Sequence, residues 1–203
     1  MKTRLKAMGV ALITPFKEDG SVDYDALLRL VDYQLQNGTD FLCVLGTTAE
    51  TPTLSKEEKE KVKRTVIDRV NSCIPILLGV GSNSTQAVVD SVKNDDMTGV
   101  DALLVVVPYY NKPSQEGIYQ HYKAIAEASK LPIILYNVPG RTGSNMSPAT
   151  TIRLAKEFKN INLNLTTSNS QPSVNNNNNN TNNSIKNEIQ SLKQMLDELQ
   201  AAT

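Results

Sequence analysis

The chain has 203 residues, 39% of them hydrophobic, and its 21 basic and 21 acidic side chains cancel to a formal net charge of zero. That length suits a single domain, and balanced charge supplies no surface field of the kind that recruits nucleic acid or a membrane surface. No apolar run reaches the roughly 18 residues of a membrane-spanning helix, so neither nucleic acid nor membrane is an expected partner.

Near the N-terminus, Lys and Arg precede an apolar stretch. Gly9–Thr14 is too short for the core of a secretion signal, and Pro15 and charged residues follow without a small-residue cleavage site. Val10–Thr14 therefore reads as a first strand. Further short, β-branched apolar runs follow at Phe41–Leu45, Pro75–Val80, Ala102–Val107 and Pro132–Tyr136. Their near-continuous hydrophobicity suits parallel strands buried on both faces.

Amphipathic stretches lie between these strands. Asp23–Gln36 carries Leu27, Leu28, Leu30, Val31 and Leu35 on one side, with Gly38 as its stop. Ser55 caps Lys56–Arg69, and Glu58 completes a capping box. Ser84 opens Thr85–Lys93, Ser114 opens Gln115–Ser129, and Ser147-Pro148 opens Ala149–Phe158 with proline at the first helical position. Five βα units at spacings of about 30 residues fit either a doubly wound sheet or a (β/α)8 barrel. Gly79–Gly81 starts like a dinucleotide loop, but the rest of that fingerprint does not follow. With five units and a doubtful sixth strand against the eight of a full barrel, the expected fold class is α/β, an incomplete (β/α)8 TIM barrel occupying residues 1–161.

After Ile161 the character changes. Half of residues 162–183 are asparagine, with an unbroken run at Asn175–Asn180. Such a segment lacks the apolar content to offset the entropy of ordering and reads as a disordered linker. In residues 184–203, Ile185, Ile189, Leu192, Leu196 and Leu199 recur at alternating spacings of four and three, with Ser184 as N-cap. That stripe suits a short coiled coil and equally any amphipathic helix packing on its own domain. Cys43 and Cys73 both sit among apolar residues and are expected to be buried thiols in a reducing compartment, rather than a disulfide or a metal site.

Barrel chemistry sits on the loops at the C-terminal ends of strands. The second strand ends in Gly46-Thr47-Thr48-Ala49-Glu50, the fourth in Pro108-Tyr109-Tyr110-Asn111-Lys112-Pro113-Ser114-Gln115-Glu116-Gly117, and the fifth in Tyr136-Asn137-Val138-Pro139-Gly140-Arg141-Thr142-Gly143. These loops gather hydroxyls and one arginine. Hydroxyl pairs relay protons, and a guanidinium holds a carboxylate through two parallel hydrogen bonds. His121 lies on a helix and reads as a packing or surface residue. Asp95 and Asp96 sit at a helix end, where acids are slightly unfavourable, and read as solvated.

At these three segments the chain resembles the dihydrodipicolinate synthase family, pyruvate-dependent class I aldolases on (β/α)8 barrels that stand alongside N-acetylneuraminate lyase. The resemblance runs from about Leu5 to Ile161, and the second and third segments favour the synthase over the lyase. It implies a cytoplasmic enzyme of lysine biosynthesis that condenses pyruvate with aspartate semialdehyde through a lysine imine. It implies no cofactor and no metal, and it allows a homo-oligomer. By resemblance, Thr47, Tyr110 and Tyr136 form the proton relay, with Tyr110 inserted into a neighbouring subunit's site. A tyrosine with a pKa near 10 is a poor free base, which suits a hydrogen-bonded relay. Thr47 and Thr48 hold the pyruvate carboxylate, Arg141 receives the carboxylate of the semialdehyde, and Glu50 supports the loop.

The chain departs from the family in three regions. Ala49 stands where a glycine is usual. In the family's lysine-feedback site Asn83 and Tyr109 match, but Ala87 replaces an acidic ligand and Lys56 stands where some members carry histidine. The imine-forming lysine lies on the sixth strand, a few residues after the Lys-Asn-Ile seen here as Lys159-Asn160-Ile161. By that count Leu165 occupies its position. The expectation is therefore a chain that keeps the relay and the arginine, lacks the nucleophile, and is inactive alone. The alternative is a non-catalytic interaction or self-association protein built from a partial barrel and a helix.

Overall fold

A computed structural model describes residues 8–162. The chain divides into a unit of Met1–Leu165 and a second unit of Thr166–Thr203, and the described residues all belong to the first. The asparagine-rich stretch beyond Asn162, Leu165 and the 184–203 stripe lie outside the described residues.

Strands and helices alternate as the periodicity predicts. The strands are β1 Gly9–Ala11, β2 Phe41–Val44, β3 Ile76–Gly79, β4 Ala102–Val106, β5 Ile133–Tyr136 and β6 Ile161–Asn162. The helices are α1 Tyr24–Gln36, α2 Lys56–Val70, α3 Thr85–Asn94, α4 Gln115–Ala128, α5 Pro139–Thr142 and α6 Pro148–Glu157. The helix starts are set by side chains that satisfy otherwise orphaned N–H groups. Asp23 accepts from Ala26 N at 2.9 Å. Ser55 accepts from Glu58 N at 3.1 Å while Glu58 accepts from Ser55 N at 2.8 Å, which is the predicted capping box. Ser84, Ser114 and Ser147 cap α3, α4 and α6 in the same way. Gly38 takes φ +76° just beyond α1, the left-handed turn that ends the helix.

All strand pairs are parallel, and the spatial order is β1-β2-β3-β4-β5-β6. A doubly wound sheet reverses direction partway along its order, whereas a (β/α)8 barrel keeps sequence order throughout. The unbroken order thus decides between the two architectures left open by the sequence. It also establishes the sixth strand: Ile161 and Asn162 pair with Ile133 and Ile134.

Strands β2 to β5 are buried on both faces, as their composition requires, whereas β1 is largely exposed. Leu42, Val44, Ile76, Leu78, Leu103, Val105, Ile133 and Leu135 pack outward against the helices in the main core. Cys43, Leu77, Ala102 and Ile134 form a second cluster on the inner face, with Phe41 and Leu104 against it. The sequence expectation of two buried thiols holds only for Cys43. Cys73 lies in the turn after α2 and is exposed, and both are free. His121 is buried and uses Nδ1 to meet Thr85 Oγ1 at 2.8 Å, joining α4 to the start of α3. Asp96 is exposed, but it pairs with Arg64 at 3.1 Å and accepts from Thr98 N. Asp95 is half-buried and accepts from Ser91 Oγ.

Candidate active site

The C-terminal strand ends surround a cleft of about 490 Å³, inside the ~300–1,000 Å³ range of small-molecule sites. Thr47, Tyr109, Tyr136 and Arg141 share its wall with Lys59 and Ser82. No Asp or Glu is among the cleft-lining residues. A wall with two cations, several hydroxyls and no carboxylate suits an anionic ligand bearing hydrogen-bond acceptors.

The backbone is strained around this rim. Among the described non-glycine residues with positive φ, Leu45 (55°), Glu50 (54°), Tyr110 (73°) and Lys112 (44°) all lie in the loops after β2 and β4. Left-handed conformations cost a side-chain-bearing residue of order 1–3 kcal/mol, and they cluster where surrounding structure holds a functional loop in shape. The holding contacts are visible here. Thr14 Oγ1 donates to Ala49 O at 2.7 Å, and Thr51 Oγ1 contacts Leu45 O and Gly46 O at 2.9 and 3.0 Å. Thr47–Ala49 forms a 3₁₀ turn after Gly46, so Thr47 stands at the strand end with its hydroxyl free of other described partners. Ala49, where the family usually has glycine, is buried and lies outside the positive-φ set.

Arg141 sits in α5, a single turn begun by Pro139 and closed by Gly143 at φ +66°. Asn137 fixes this turn from beneath. Its Nδ2 donates to Asn145 Oδ1 at 2.8 Å, and its Oδ1 accepts from Met146 N at 3.1 Å. Gln115, at the start of α4, holds the same loop from the side. Its Oε1 accepts from Ser147 N and Thr150 Oγ1 at 2.9 and 2.8 Å, and its Nε2 donates to Asn145 O at 2.7 Å. Below the cleft, burial pushes the Cys43 thiol up to about 12, which leaves it a neutral filler of the inner face.

Of the predicted site residues, Thr47, Tyr136 and Arg141 come together on one cleft. Thr48 is exposed beside Thr47 and does not line it. Tyr110 is 87% exposed and points away from the cleft of its own chain, while Tyr109 lines it. Glu50 is exposed at the end of the threonine turn. No local pattern singles out Asn137, Gln115 or Lys59. The first two act through loop hydrogen bonds across 8 to 35 positions, which no local pattern encodes. Lys59 is hidden in an ordinary charged helix.

A parallel βα sheet in sequence order, with a hydroxyl- and arginine-lined cleft at its C-terminal rim, defines a small-molecule site of the α/β-barrel class. The match to the model of the Dihydrodipicolinate synthetase family covers residues 4–192, and the chain belongs to that family. The match runs past Ile161, where the resemblance in the motifs ends, and through the asparagine-rich stretch to residue 192. The chain is 81% identical over 161 residues to the 4-hydroxy-tetrahydrodipicolinate synthase of Phocaeicola vulgatus, covering 79% of this chain and 54% of that one. It superposes on the dihydrodipicolinate synthase of Thermotoga maritima with a TM-score of 0.75 at 47% identity, covering 78% of this chain and 53% of the other. The chloride-inhibited enzyme of Acinetobacter baumannii, complexed with pyruvate, gives a TM-score of 0.71 at 50% identity over 73% of this chain and 51% of that one. The chain thus spans about half the length of the relatives it matches. No helix among the described residues is long and apolar enough to cross a membrane.

Proposed function

We propose that residues 1–161 form the substrate-gathering part of a pyruvate-condensing site of the dihydrodipicolinate synthase kind, cytoplasmic and acting on pyruvate and aspartate semialdehyde. The observation that carries this reading is the convergence of Thr47, Tyr136 and Arg141 on one cleft without a carboxylate in its wall. Thr47 holds the pyruvate carboxylate from the cleft wall, with Thr48 beside it just outside that wall, and Arg141 takes that of the semialdehyde through its paired N–H groups. Thr47, Tyr136 and a Tyr110 from a second copy pass protons between the carbonyl oxygen and solvent. The 87% exposure of Tyr110, on backbone held at φ +73°, supports a partner-directed role, since its ring and hydroxyl reach beyond their own chain.

Covalent condensation needs an amine that attacks the pyruvate carbonyl, forms an imine and releases water. By the count from Lys159-Asn160-Ile161, Leu165 takes the position that the resemblance assigns to that lysine. A hydrocarbon side chain supplies no electron pair, so the 203-residue chain binds the acids but does not form the imine by itself. The same substitution favours the second reading, in which residues 162–183 act as linker and 184–203 as a self-associating helix on a non-catalytic barrel segment.

Borohydride reduction in the presence of pyruvate, followed by peptide mass spectrometry, tests the first reading. The expected result is no lysine adduct on the chain alone. One stoichiometric adduct at a single lysine would show that the nucleophile is present. Sedimentation of the chain with and without residues 184–203 tests the second: equal masses would remove the helix as an oligomeriser.

A further inference from the structure

The segment that carries Arg141 is a self-contained block. Arg141 N and Thr142 N both donate to Val138 O at 3.0 Å, and Gly143 N donates to Pro139 O at 2.9 Å. The buried Thr142 hydroxyl lies between Val138 O and Ser144 O and accepts from Ser144 N at 3.2 Å. These bonds fix the shape of residues 138–144. They do not fix how the block sits on the end of β5, because each of them begins and ends inside it.

The two ends of the block are joined by side chains. Asn137, the residue after Tyr136, meets Asn145 across eight positions, its Nδ2 donating to Asn145 Oδ1 at 2.8 Å. Met146 N can only donate, so Asn137 turns Oδ1 toward it, at 3.1 Å, and Nδ2 is left to face Asn145. Asn145 is gripped from α4 as well. Gln115 Nε2 donates to its carbonyl oxygen at 2.7 Å, and Gln115 Oε1 accepts from Ser147 N at 2.9 Å. Met146 is 5% exposed and anchors that side in the main core. Neither Asn137 nor Asn145 lines the cleft, whereas Tyr136 and Arg141, on either side of Asn137 in the chain, both do.

We infer that Asn137 and Asn145 are positioning residues: their side-chain bond closes the 137–145 loop and sets the Arg141 guanidinium relative to Tyr136, so that an entering carboxylate meets both N–H groups of the fork. A guanidinium grips a carboxylate through two parallel bonds only when its plane is held in place. With the loop ends released the block turns about its junction with β5. The charge stays, and the paired geometry is lost. The inference rests on Arg141 as the carboxylate receptor of the proposed site.

Butyrate is the probe, a four-carbon carboxylate without a reactive carbonyl. It is titrated into the full 203-residue chain and followed through the amide resonances of Tyr136 and Arg141–Gly143. R141Q is expected to weaken binding about tenfold and N137A about fivefold, the loss of one of two paired charge-assisted bonds. N137D should stay within about threefold of the wild type. One of its oxygens still accepts from Met146 N, and Asn145 turns its amide over to donate to the other. N145D should bind as well, since the new carboxylate accepts from Asn137 Nδ2. N137D/N145D leaves only acceptors between the two side chains, and its loss should exceed the product of the two single losses. V31A removes core packing at a 0% exposed position on α1. It should melt lower and bind butyrate unchanged. Wild-type affinity in N137A, purely multiplicative losses in N137D/N145D, or an equal loss of binding in V31A would overturn the positioning role and leave Arg141 as the receptor. Unchanged affinity in R141Q would overturn the proposed site itself, and the positioning role with it.

Discussion

Thr14, just beyond β1, donates its hydroxyl to the carbonyl oxygen of Ala49 at 2.7 Å, across 35 positions of sequence. Thr14 is only 5% exposed, so water does not stand in for the bond. One strand end thereby braces the turn that carries Thr47 and Thr48. Replacing Thr14 with valine keeps the shape and leaves Ala49 O without a donor, at a cost of about 1–2 kcal/mol. The turn itself should loosen, since Ala49 N and Glu50 N are held only by Gly46 O and Thr47 O. Chemical denaturation of T14V, with amide exchange at Ala49 and Glu50, checks both effects, and T14S should restore them. A T14V chain as stable and as slowly exchanging as the wild type would show that the bond does not brace the turn.

Two glycines in the wall of the cleft differ in what a methyl group would meet. At Gly79 an added Cβ would fall 2.0 Å from Leu45 O, a backbone atom of the strained segment before Thr47. At Gly81 it would fall 2.6 Å from Val106 Cγ1, the end of a side chain that can rotate. G79A is therefore expected to cost about 3 kcal/mol or more and G81A about 1 kcal/mol, both by overpacking. Equal losses in urea melts would mean that the Leu45–Gly46 backbone yields as easily as a valine rotamer.

The fold was legible in the chain because its strands are short and apolar on both faces and its helices begin with explicit caps. Ser55 with Glu58, and Ser147 before Pro148, mark starts to the residue. What the periodicity left open was strand order, since doubly wound and barrel sheets are built from the same βα units. Pairing of β1 through β6 in sequence order settles it. The cleft was legible only in part. Thr47, Tyr136 and Arg141 stand out because hydroxyls and a guanidinium follow apolar strands. Lys59 does not, because lysine on a polar helix is usually solvent-facing. The short α5 turn also went unseen, as its four residues are too few to show a period. The exposure of Cys73 was misread because Ile74 and Pro75 beside it suggested a strand, whereas Asn71 and Ser72 turn left-handed at φ 45° and 62° and carry it outward.

That difference between the two cysteines gives a direct chemical check. Cys73 is exposed in a turn. Cys43 is 6% exposed on the inner sheet face, and burial raises its thiol to about 12. Since the thiolate is the reacting species, Cys43 at pH 8 offers roughly a thousandfold less of it than an ordinary thiol, before access is counted. One thiol per native chain should react with an aromatic disulfide reagent at pH 8, and two in denaturant. C73S should abolish the native reaction. Two fast thiols in the native chain would mean that the inner face beneath the cleft is open to solvent.

His121 supplies an acid-sensitive joint between α3 and α4. It is 2% exposed, its Nε2 has no partner among the described residues, and burial lowers its pKa from 6.5 to about 4. Above pH 6.5 the ring is neutral in both folded and unfolded chains, so it exacts no penalty there. As pH falls below 6.5 the unfolded chain takes up the proton first, and stability drops until the folded ring also titrates near 4. The loss over that window is on the order of 2–3 kcal/mol. Carboxylates do not mask it. Hydrogen bonds from Gln120 and Arg153 hold Glu116 below the usual carboxylate range, and the Tyr119 hydroxyl, with Arg153, does the same for Glu157. Their contribution is present above the ordinary carboxylate pKa and fades only at lower pH. Between pH 6.5 and 4.5 the larger part of the decline in unfolding free energy therefore belongs to His121. H121Q can still meet Thr85 through its amide but carries no titrating proton. It should flatten the profile in that window while lowering stability at pH 7.5 by a smaller, pH-independent amount. A wild-type profile flat from 6.5 to 4.5, or an equally steep one in H121Q, would show that the imidazole is not the group being charged.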